Sequence, residues 1–461
     1  MFSRASAYDF SDTIAAPATA SGIGAIAIVR LSGPMAINIC ASVFRGANLR
    51  EVLSHTVHFG TIRDESGILD EVVVTVFKAP ASFTKEDVVE ISCHGSPYIV
   101  KRLLELLIEK GARMARPGEF TQRAFLNGRF DLSRAEAVAD LIAADSAAAH
   151  HAALNQMRGG ISREIIRLRS ELLRFAALLE LELDFSEEDV EFADRAQLVQ
   201  LIKDLRQTIA GLKGSFAAGN VMKNGVPVVI AGKPNAGKST LLNRLLQEEK
   251  AIVSPVAGTT RDYIEDTAVL EGYTFRFTDT AGLRETNDTV EALGVQRTHE
   301  RISKASVIIY LFDLSEESPA EVAASVAALA PGLKPVLCIG NKSDLADSAI
   351  LPSYSSLPGF IAISARDGAN TESLKNALVA AAALPNLQSG DTVISNLRHF
   401  ESLKETDSAL ESALGSLQAG RSGDLTAADI RRALYYLGTI SGEVGTEELL
   451  GEIFGKFCIG K

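Results

Sequence analysis

One eight-residue stretch constrains the fold of this 461-residue chain more than any other. The segment Gly232-Lys-Pro-Asn-Ala-Gly-Lys-Ser239 directly follows an apolar run at 226–230 and precedes a run with helical spacing at 240–246. A glycine-rich loop between a strand and a helix is the context of a P-loop, because its backbone N–H groups and the helix N-terminus together wrap a polyphosphate. We therefore predict an α/β domain with a nucleotide site at this turn.

The residue types in this loop predict which side chains contact the phosphates and which contact the metal ion. Lys238 is expected to reach the β- and γ-phosphates, and the hydroxyl of Ser239 is expected to ligate Mg²⁺. The residues of the segment predicted to contact the nucleotide are Asn235, Ala236, Gly237, Lys238, Ser239 and Thr240.

Three further motifs follow in the order that a GTPase needs. The segment Asp279-Thr-Ala-Gly282 ends a predicted strand, which places its aspartate near Mg²⁺ and its glycine amide near the γ-phosphate. Asn341-Lys-Ser-Asp344 ends another strand, and a carboxylate there accepts hydrogen bonds from N1–H and the N2 amine of guanine, a donor pair that adenine lacks. Ser364-Ala-Arg366 follows the last strand and is expected to close over the base. The predicted nucleotide is GTP, with contacts from Asp279, Thr280, Ala281, Gly282, Asn341, Lys342, Asp344, Ser364, Ala365 and Arg366.

The residue that orients the attacking water is not evident from these motifs. Ras-like enzymes use a Gln shortly after the D-x-x-G glycine, but this chain has Leu283 next, and an apolar side chain cannot orient water. Glu285, Asp288 and Glu291 are the acidic candidates, and their spacing does not choose among them. Switch I corresponds to 255–262, where the expected second Mg²⁺ ligand is Thr260.

The chain on either side of this region has a different pattern. The first 120 residues mix β-branched runs at 25–29 and 72–77 with a helical stretch at 98–110, which predicts an α+β domain. Ser133 and Glu136 fit a capping box, which predicts a helix start there.

From that start, helical spacing continues to Leu183, with a break or kink expected at Gly159-Gly160. Strands and helices alternate over 226–384, which predicts a mostly parallel sheet, and helical patterns resume after Pro385. We predict a multidomain protein with an N-terminal α+β domain, a discontinuous helical domain and an inserted Ras-like P-loop domain. The expected boundaries are 1–120, 121–220 with 385–461, and 221–384.

Composition narrows the functional classes. The net charge of −12 argues against non-specific coating of nucleic acid, although the stretch 101–134 has eight basic and four acidic residues and is either an anion site or a solvated face. No signal peptide or apolar run long enough to cross a membrane is evident, so a cytoplasmic protein without membrane association is expected.

The four cysteines show no metal spacing. Cys458 is either a thiol nucleophile toward uracil or, in its apolar setting, a packed side chain.

The switch and nucleotide motifs resemble the translation-factor class of GTPases. The segments Gly258-Thr-Thr-Arg-Asp262, Asp279-Thr-Ala-Gly-Leu-Arg-Glu285 and Phe457-Cys-Ile-Gly-Lys461 narrow this to a resemblance to the MnmE (TrmE) family of tRNA-modification GTPases. It extends over the whole chain, through Ala25-Ile-Ala-Ile-Val-Arg-Leu-Ser-Gly33 and Ala115-Arg-Pro-Gly-Glu-Phe120.

The resemblance implies a specific mode of GTP hydrolysis. Family members form homodimers through their N-terminal domains, and hydrolysis follows when the two G domains meet, with K⁺ replacing an arginine finger. The catalytic acid corresponds to Glu291, and Lys238 and Asn235 complete the catalytic set. The implied K⁺ ligands are Asn235, Ser254, Val256 and Thr259, and Ser254, Thr259 and Thr260 join the nucleotide contacts.

It also implies one-carbon chemistry on tRNA. The N-terminal domain resembles tetrahydrofolate-binding domains, and a 5-formyl- or methylene-tetrahydrofolate would contact Arg30, Glu90, Arg129 and Lys461. An FAD-dependent partner of the MnmG/GidA type would join the dimer in a heterotetramer or larger assembly. Together they would add an aminomethyl or carboxymethylaminomethyl group at C5 of the wobble uridine of certain tRNAs.

Two alternative functions use the same G domain. A ribosome-assembly GTPase would bind RNA without group transfer, but it is expected to carry a basic RNA-binding module that this chain lacks in sequence. A purely regulatory GTPase would show no dependence on folate or tRNA.

Overall fold

A computed structural model describes residues 11–184, 195–248, 266–279, 302–329, 334–382, 392–421, 423–444 and 447–460. The chain divides into two compact units. The first contains Met1–Ala139, Gln156–Ile202 and Glu405–Lys461, and the second contains Asp140–Asn155 and Lys203–Lys404.

The N-terminal part of the first unit is built on a mixed seven-stranded sheet. Its strands are β1 (Thr13–Pro17), β2 (Gly24–Ser32), β3 (Phe44–Arg45), β4 (Thr56–Asp64), β5 (Gly67–Phe77), β6 (Val88–Gly95) and β7 (Ala112–Met114). They lie in the order β3-β4-β5-β6-β2-β1-β7, and only the β1–β7 pair is parallel. Helices α1 (Ala36–Val43) and α2 (Pro97–Glu109) pack on this sheet.

Strict alternation along the central strands gives this sheet one covered and one exposed face. On β5, Val72, Val74 and Val76 are buried against the helices, whereas Val73 points the other way and is partly exposed. Val57, Phe59 and Ile26 lie on the same exposed side, each more than 60% accessible. We refer to the surface that carries Ile26, Val57, Phe59 and Val73 as the open face.

Among the described residues, eight further helices either belong to the first unit or cross a boundary between the two units. They are α3 (Glu119–Leu126), α4 (Leu132–Ala143), α5 (Ala147–Met157), α6 (Gly160–Asp184), α7 (Arg195–Gly214), α12 (Leu397–Gln418), α13 (Gly423–Ser441) and α14 (Glu447–Gly455). Within the first unit, α6 packs lengthwise on α13. The predicted break is confirmed: Gly159 has φ +84° and separates α5 from α6.

The predicted capping box at Ser133 is wrong, because Asp131 caps helix α4 instead. The Oδ1 atom of Asp131 accepts the backbone N–H of Arg134 at 3.0 Å. Ser133 lies inside the helix, where its hydroxyl bonds to Asp131 and to Ser162. An aspartate two residues earlier offers the same acceptor to the free N–H groups of the first turn.

The second unit contains a six-stranded sheet with one antiparallel edge. Its strands are β8 (Val226–Ala231), β9 (Asp266–Leu270), β10 (Tyr273–Asp279), β11 (Val307–Asp313), β12 (Val336–Asn341) and β13 (Ile361–Ala362). The order is β13-β12-β11-β8-β10-β9, parallel throughout except for β9 against β10. The accompanying helices are α8 (Phe216–Asn224), α9 (Lys238–Glu248), α10 (Pro319–Leu329) and α11 (Thr371–Ala381), with a 3-10 helix at Ser348–Tyr354.

Burial explains why the central strands of this sheet can be predicted from apolar runs in the sequence. Every residue of β11 is buried, as expected for a central parallel strand covered on both faces. The predicted fold class is confirmed: an α+β domain, helices, and a P-loop domain with a mostly parallel sheet. In the part of the chain that the structure describes, no helix is both long and apolar enough to cross a membrane.

Candidate functional site

The P-loop passes from β8 to α9 through backbone conformations that favour glycine. Gly232 has φ +147°, and a Cβ there would lie 1.9 Å from the carbonyl oxygen of Leu311. Gly237 has φ +97°, and its Cβ would lie 2.2 Å from Nδ2 of Asn341. Both contacts are closer than any side chain allows, so the loop runs against β11 and β12 only because these positions are glycine. Between them, Asn235 is exposed with φ +64°.

Lys238 is the first residue of α9, and its side chain folds back over the loop. Its Nζ donates to the carbonyl oxygens of Gly232 and Lys233, each at 2.8 Å. The ammonium group therefore lies against the backbone of the loop that is predicted to bind the phosphates. Ser239 and Thr240 follow on the first turn of α9 with exposed side chains, where the helix dipole favours an anion.

Asn341 connects three of the predicted motifs. Its Nδ2 donates to the carbonyl oxygen of Ala236 at 2.8 Å, and its Oδ1 accepts the backbone N–H of Ala365 at 3.0 Å. The side chain is almost fully buried. The P-loop, the Asn341–Asp344 motif and the Ser364–Arg366 loop are thus joined at one amide group, although Asn341 is 105 residues from Ala236 and 24 residues from Ala365.

The loop after β12 carries the residues predicted to recognise guanine. Lys342 has φ +62° and pairs with Asp313 at 2.5 Å. Burial alone raises the pKa of Asp313, but its hydrogen bonds from Lys342 and Ser315 outweigh burial and leave the pKa below its ordinary value. Asp344, the predicted guanine ligand, is exposed and therefore accessible to a base.

The Ser364–Arg366 loop is held by its own backbone and by Arg244 of α9. The hydroxyl of Ser364 donates to Asp367 at 3.1 Å and accepts the N–H of the same residue. The Arg244 guanidinium donates to the carbonyl oxygens of Ala365 and Arg366, so these two residues contribute through their backbones. Sequence reasoning missed Arg244, because an arginine inside a helical pattern carries no motif.

Several predicted site residues lie outside the described part of the chain. They are Ser254, Val256, Thr259, Thr260, Thr280, Ala281, Gly282, Glu285, Asp288, Glu291 and Lys461. Asp279 ends β10, as predicted for the strand that leads into the D-x-x-G motif.

A second candidate site lies on the N-terminal sheet. Arg30 on β2 and Glu90 on β6 are cross-strand partners, and the guanidinium donates to Oε1 of Glu90 at 2.8 Å. The cation of Arg30 sits 5.7 Å from the ring centre of buried Phe120. Both charged side chains are only partly exposed. An arginine over an aromatic ring, paired with a carboxylate, offers hydrogen-bonding groups of both charges to a flat, polar ligand.

The C-terminal end of the chain lies against this pair. Arg30 Nη1 donates to the carbonyl oxygen of Gly460 at 3.3 Å, and the N–H of Gly118 donates to that of Cys458 at 3.3 Å. A Cβ at Gly460 would lie 2.0 Å from the oxygen of Pro17, so the final turn fits closely. The Cys458 side chain is exposed, so the expectation of a packed thiol is wrong. The structure thus joins residues more than 400 positions apart.

Arg129 is near the same small apolar cluster. Its guanidinium donates to the carbonyl oxygen of Ser82 and lies 5.5 Å from the ring centre of Phe83. Phe83 packs in one cluster with Phe120, the ring under Arg30. Arg30 and Arg129 therefore lie over two rings of one cluster.

Three arginines of the basic stretch 101–134 are held in ion pairs. Arg113 and buried Arg123 both pair with Glu119 and Asp12, at 2.5–3.2 Å. Arg102 pairs with Asp64, Glu105 and Glu109. Burial raises the pKa of Glu119, but Arg113, the N–H of Arg116 and Arg123 lower it to about 2. Two of these carboxylates, Asp12 and Asp64, lie outside 101–134, so a count along that stretch alone cannot show them.

Comparison with known proteins covers nearly the whole chain. Residues 13–129 match the family described as GTP-binding protein TrmE N-terminus, and residues 132–458 match the MnmE helical domain. A protein named tRNA modification GTPase MnmE from Cytophaga hutchinsonii is 57% identical over 451 residues, 98% of each chain. Proteins of the same name are 50% identical in Flavobacterium psychrophilum (98% of this chain, 100% of the relative) and 48% identical in Bacteroides thetaiotaomicron (98% and 99%).

Proposed function

The chain belongs to the MnmE family of tRNA modification GTPases, and from this premise we propose how it works. It is a GTP hydrolase of tRNA modification. It hydrolyses GTP as a K⁺-stimulated homodimer and, with an FAD-dependent partner of the MnmG/GidA type, adds an aminomethyl or carboxymethylaminomethyl group at C5 of the wobble uridine. The carbon comes from a reduced folate bound to the N-terminal domain. The observation that carries this proposal is the contact of the C-terminal segment with Arg30.

The nucleotide site suits a magnesium-bound triphosphate. The exposed hydroxyl of Ser239 lies on the first turn of α9, beside the buried ammonium group of Lys238. Mg²⁺ bound there would neutralise charge on the β- and γ-phosphates, with Ser239 and Thr260 as its protein ligands. On binding, Lys238 exchanges the two carbonyl oxygens that it contacts for phosphate oxygens. Asp344 then selects guanine.

The same loop supports the proposed potassium dependence. Asn235 is exposed and has a left-handed backbone conformation, so its amide oxygen is free to turn toward a cation beside the phosphates. A monovalent cation there stabilises negative charge that develops in the transition state, as an arginine finger does. The remaining ligands of this proposal are Ser254, Val256 and Thr259, and Glu291 holds the attacking water.

The N-terminal site suits a reduced folate. The Glu90 carboxylate can accept N–H groups of the pterin, and the rings and guanidinium groups nearby suit its flat, polar surface. Arg30 and Arg129 add positive charge for the carboxylates of the folate tail. Gly460 contacts Arg30 and immediately precedes Lys461, which supports the proposal that Lys461 contacts the folate. The exposed Cys458 is the nearby candidate for a functional thiol.

The open face supports the proposed dimer. It places Ile26, Val57, Phe59 and Val73 in contact with solvent on one side of a sheet. Contiguous exposed apolar side chains on a soluble domain mark an interaction surface. A second copy of this face would bury them and would bring two N-terminal sites into one particle.

The cation proposal is tested by GTP hydrolysis in KCl and in NaCl at equal ionic strength. Faster hydrolysis in KCl is expected, and the Asn235→Ala variant is expected to hydrolyse GTP equally slowly in both salts. Equal rates for the parent protein in the two salts would contradict the proposal. The Glu291→Ala variant is expected to lose turnover while keeping GTP affinity.

Folate binding is tested by calorimetric titration of 5-formyltetrahydrofolate into the full chain. Micromolar binding is expected, and it should weaken in Arg30→Met and in a chain lacking Lys461. Arg45→Met is the matched control, because Arg45 is exposed on β3 and bonds only to nearby carbonyls of its own segment among the described contacts. Absence of binding would remove the folate role and point to a GTPase that acts as an RNA-dependent switch.

A further inference from the structure

A buried carboxylate beside the P-loop belongs to none of the sequence motifs. Glu317 lies in the turn between β11 and α10, and it is only 3% exposed. Its Oε2 is 3.2 Å from Nζ of Lys233 and accepts the hydroxyl of Tyr310 at 3.3 Å. Its carbonyl oxygen accepts the hydroxyl of Tyr354 at 2.6 Å. Removing a carboxylate from water is costly, so a buried one has a defined set of partners.

Lys233 joins this carboxylate to the nucleotide site. It is the second residue of the P-loop, and its side chain turns away from the loop toward Glu317. Its carbonyl oxygen faces the other way and accepts Nζ of Lys238 at 2.8 Å. The hydrogen bond that Lys233 donates to Glu317 raises the pKa of Lys233, so the ammonium group keeps its positive charge at neutral pH. A continuous path of polar contacts therefore runs from Glu317 through one P-loop residue to the phosphate-binding lysine.

We propose that Glu317 is a positioning residue for GTP binding: through Lys233 it holds the first turn of the P-loop in the conformation that receives the phosphates. It contacts neither the nucleotide nor the metal. Its two tyrosine partners lie on β11 and on the 3-10 helix Ser348–Tyr354, and both Tyr310 and Tyr354 are buried and stack on Phe312. This packed aromatic cluster thereby fixes the position of the P-loop, whose two glycines lack side chains that could pack against the domain.

Charge gives the pair a second effect. An unpaired Lys233 would be free to turn toward a bound polyphosphate and would compete with Lys238 for its oxygens. Glu317 neutralises this ammonium group and keeps it on the outer side of the loop. The phosphates then meet only the lysine that α9 presents, together with the backbone N–H groups.

Nucleotide affinity of single and double variants tests the proposal. Glu317→Gln keeps the size of the side chain and removes its charge, and Lys233→Met keeps most of the stem and removes the cation. Because a hydrogen bond between charged groups contributes more than a neutral one, each variant is expected to bind both GTP and GDP about ten-fold more weakly. The kcat at saturating GTP should stay within about two-fold, since P-loop geometry is restored once nucleotide is bound.

The double variant separates positioning from simple destabilisation. If the two residues act as one unit, Lys233→Met combined with Glu317→Gln binds nucleotide no more weakly than either single variant. Glu316→Gln is the matched control, because Glu316 is the exposed neighbour in the same turn and is expected to bind GTP like the parent. Urea unfolding of each variant shows whether the domain is intact.

Two results would overturn the proposal. One is a Glu317→Gln protein with lowered stability but GTP and GDP affinities within about two-fold of the parent, which would make Glu317 a packing residue. The other is a double variant whose affinity loss is the product of the single losses. If Glu317→Gln does not fold, Lys233→Met decides the question, because that side chain is half exposed.

Discussion

Asn341 is the residue whose loss is expected to damage the nucleotide site most without touching the phosphates. Its amide group holds Ala236 of the P-loop at 2.8 Å and Ala365 of the base-covering loop at 3.0 Å. Replacement by alanine removes both bonds and leaves a buried N–H and a buried C=O without the partner each has now. The two loops would then be free to separate.

The size of the effect follows from these contacts. Each intramolecular hydrogen bond contributes about 1 kcal/mol, and a buried polar group left without a partner costs about 1–3 kcal/mol. Asn341→Ala leaves two such groups, and at about 1.5 kcal/mol each, a cost that already includes the lost bonds, the total is about 3 kcal/mol. Part of it lowers the stability of the domain, and the part that separates the loops lowers affinity. If all of it appeared in binding, GTP affinity would fall about 100-fold, because about 1.4 kcal/mol corresponds to a factor of ten.

Stopped-flow release of a fluorescent GDP analogue measures the affinity part, and urea unfolding measures the stability part. We expect faster release of GDP and of a non-hydrolysable GTP analogue by similar factors, since both loops contact features common to the two nucleotides. Asn224→Ala is the matched control, because Asn224 is exposed at the end of α8 and bonds only to Asn220 among the described contacts. Release at the parent rate, together with unchanged stability, would refute the reasoning.

Three further predictions concern the first unit. The pKa of Glu119 is about 2 in the folded protein, against an ordinary value of 4.5. The ionised carboxylate therefore contributes about 3 kcal/mol to the free energy of unfolding, a contribution that is present above pH 4.5 and is lost as pH falls toward 2. Acid unfolding of Glu119→Gln is expected to show a shallower pH dependence over this range. At Gly118, φ is +67° and an added Cβ would lie 2.5 Å from the carbonyl oxygen of Phe454, so Gly118→Ala is expected to lower the free energy of unfolding by about 1–3 kcal/mol, measured by urea titration. Gly128→Ala is the control: Gly128 also has a positive φ but has open space around it, so only the cost of the backbone conformation is expected. A thiol reagent should modify one cysteine rapidly in the native protein, since Cys458 is exposed and the other three are buried, and Cys458→Ser should abolish that phase.

Some features of the fold are local and were predicted from the sequence for that reason. The helix break at Gly159, helix α2 at Pro97–Glu109 and the buried strands β8, β11 and β12 depend on residue types within a few positions of one another. Strand β9 was missed. It is a five-residue antiparallel edge strand, and its hydrogen bonds with β10 are not visible in a short run of mixed residues.

The candidate sites divide in the same way. A P-loop is a contiguous segment with a required spacing, so the sequence alone indicated the phosphate site, the base-recognition motifs and their order along parallel strands. The link from Asn341 to Ala236 and Ala365, and the pair of Lys233 with Glu317, needed the tertiary structure.

What the sequence determined by itself is the chemistry carried by short motifs, together with the class of fold that positions them. The tertiary structure decided which charges meet. It paired arginines of 101–134 with Asp12 and Asp64, and it brought Gly460 to Arg30. The physical reason is distance along the chain: motif spacing is set by local backbone geometry, whereas ion pairs and docked termini form between segments whose separation carries no local signal.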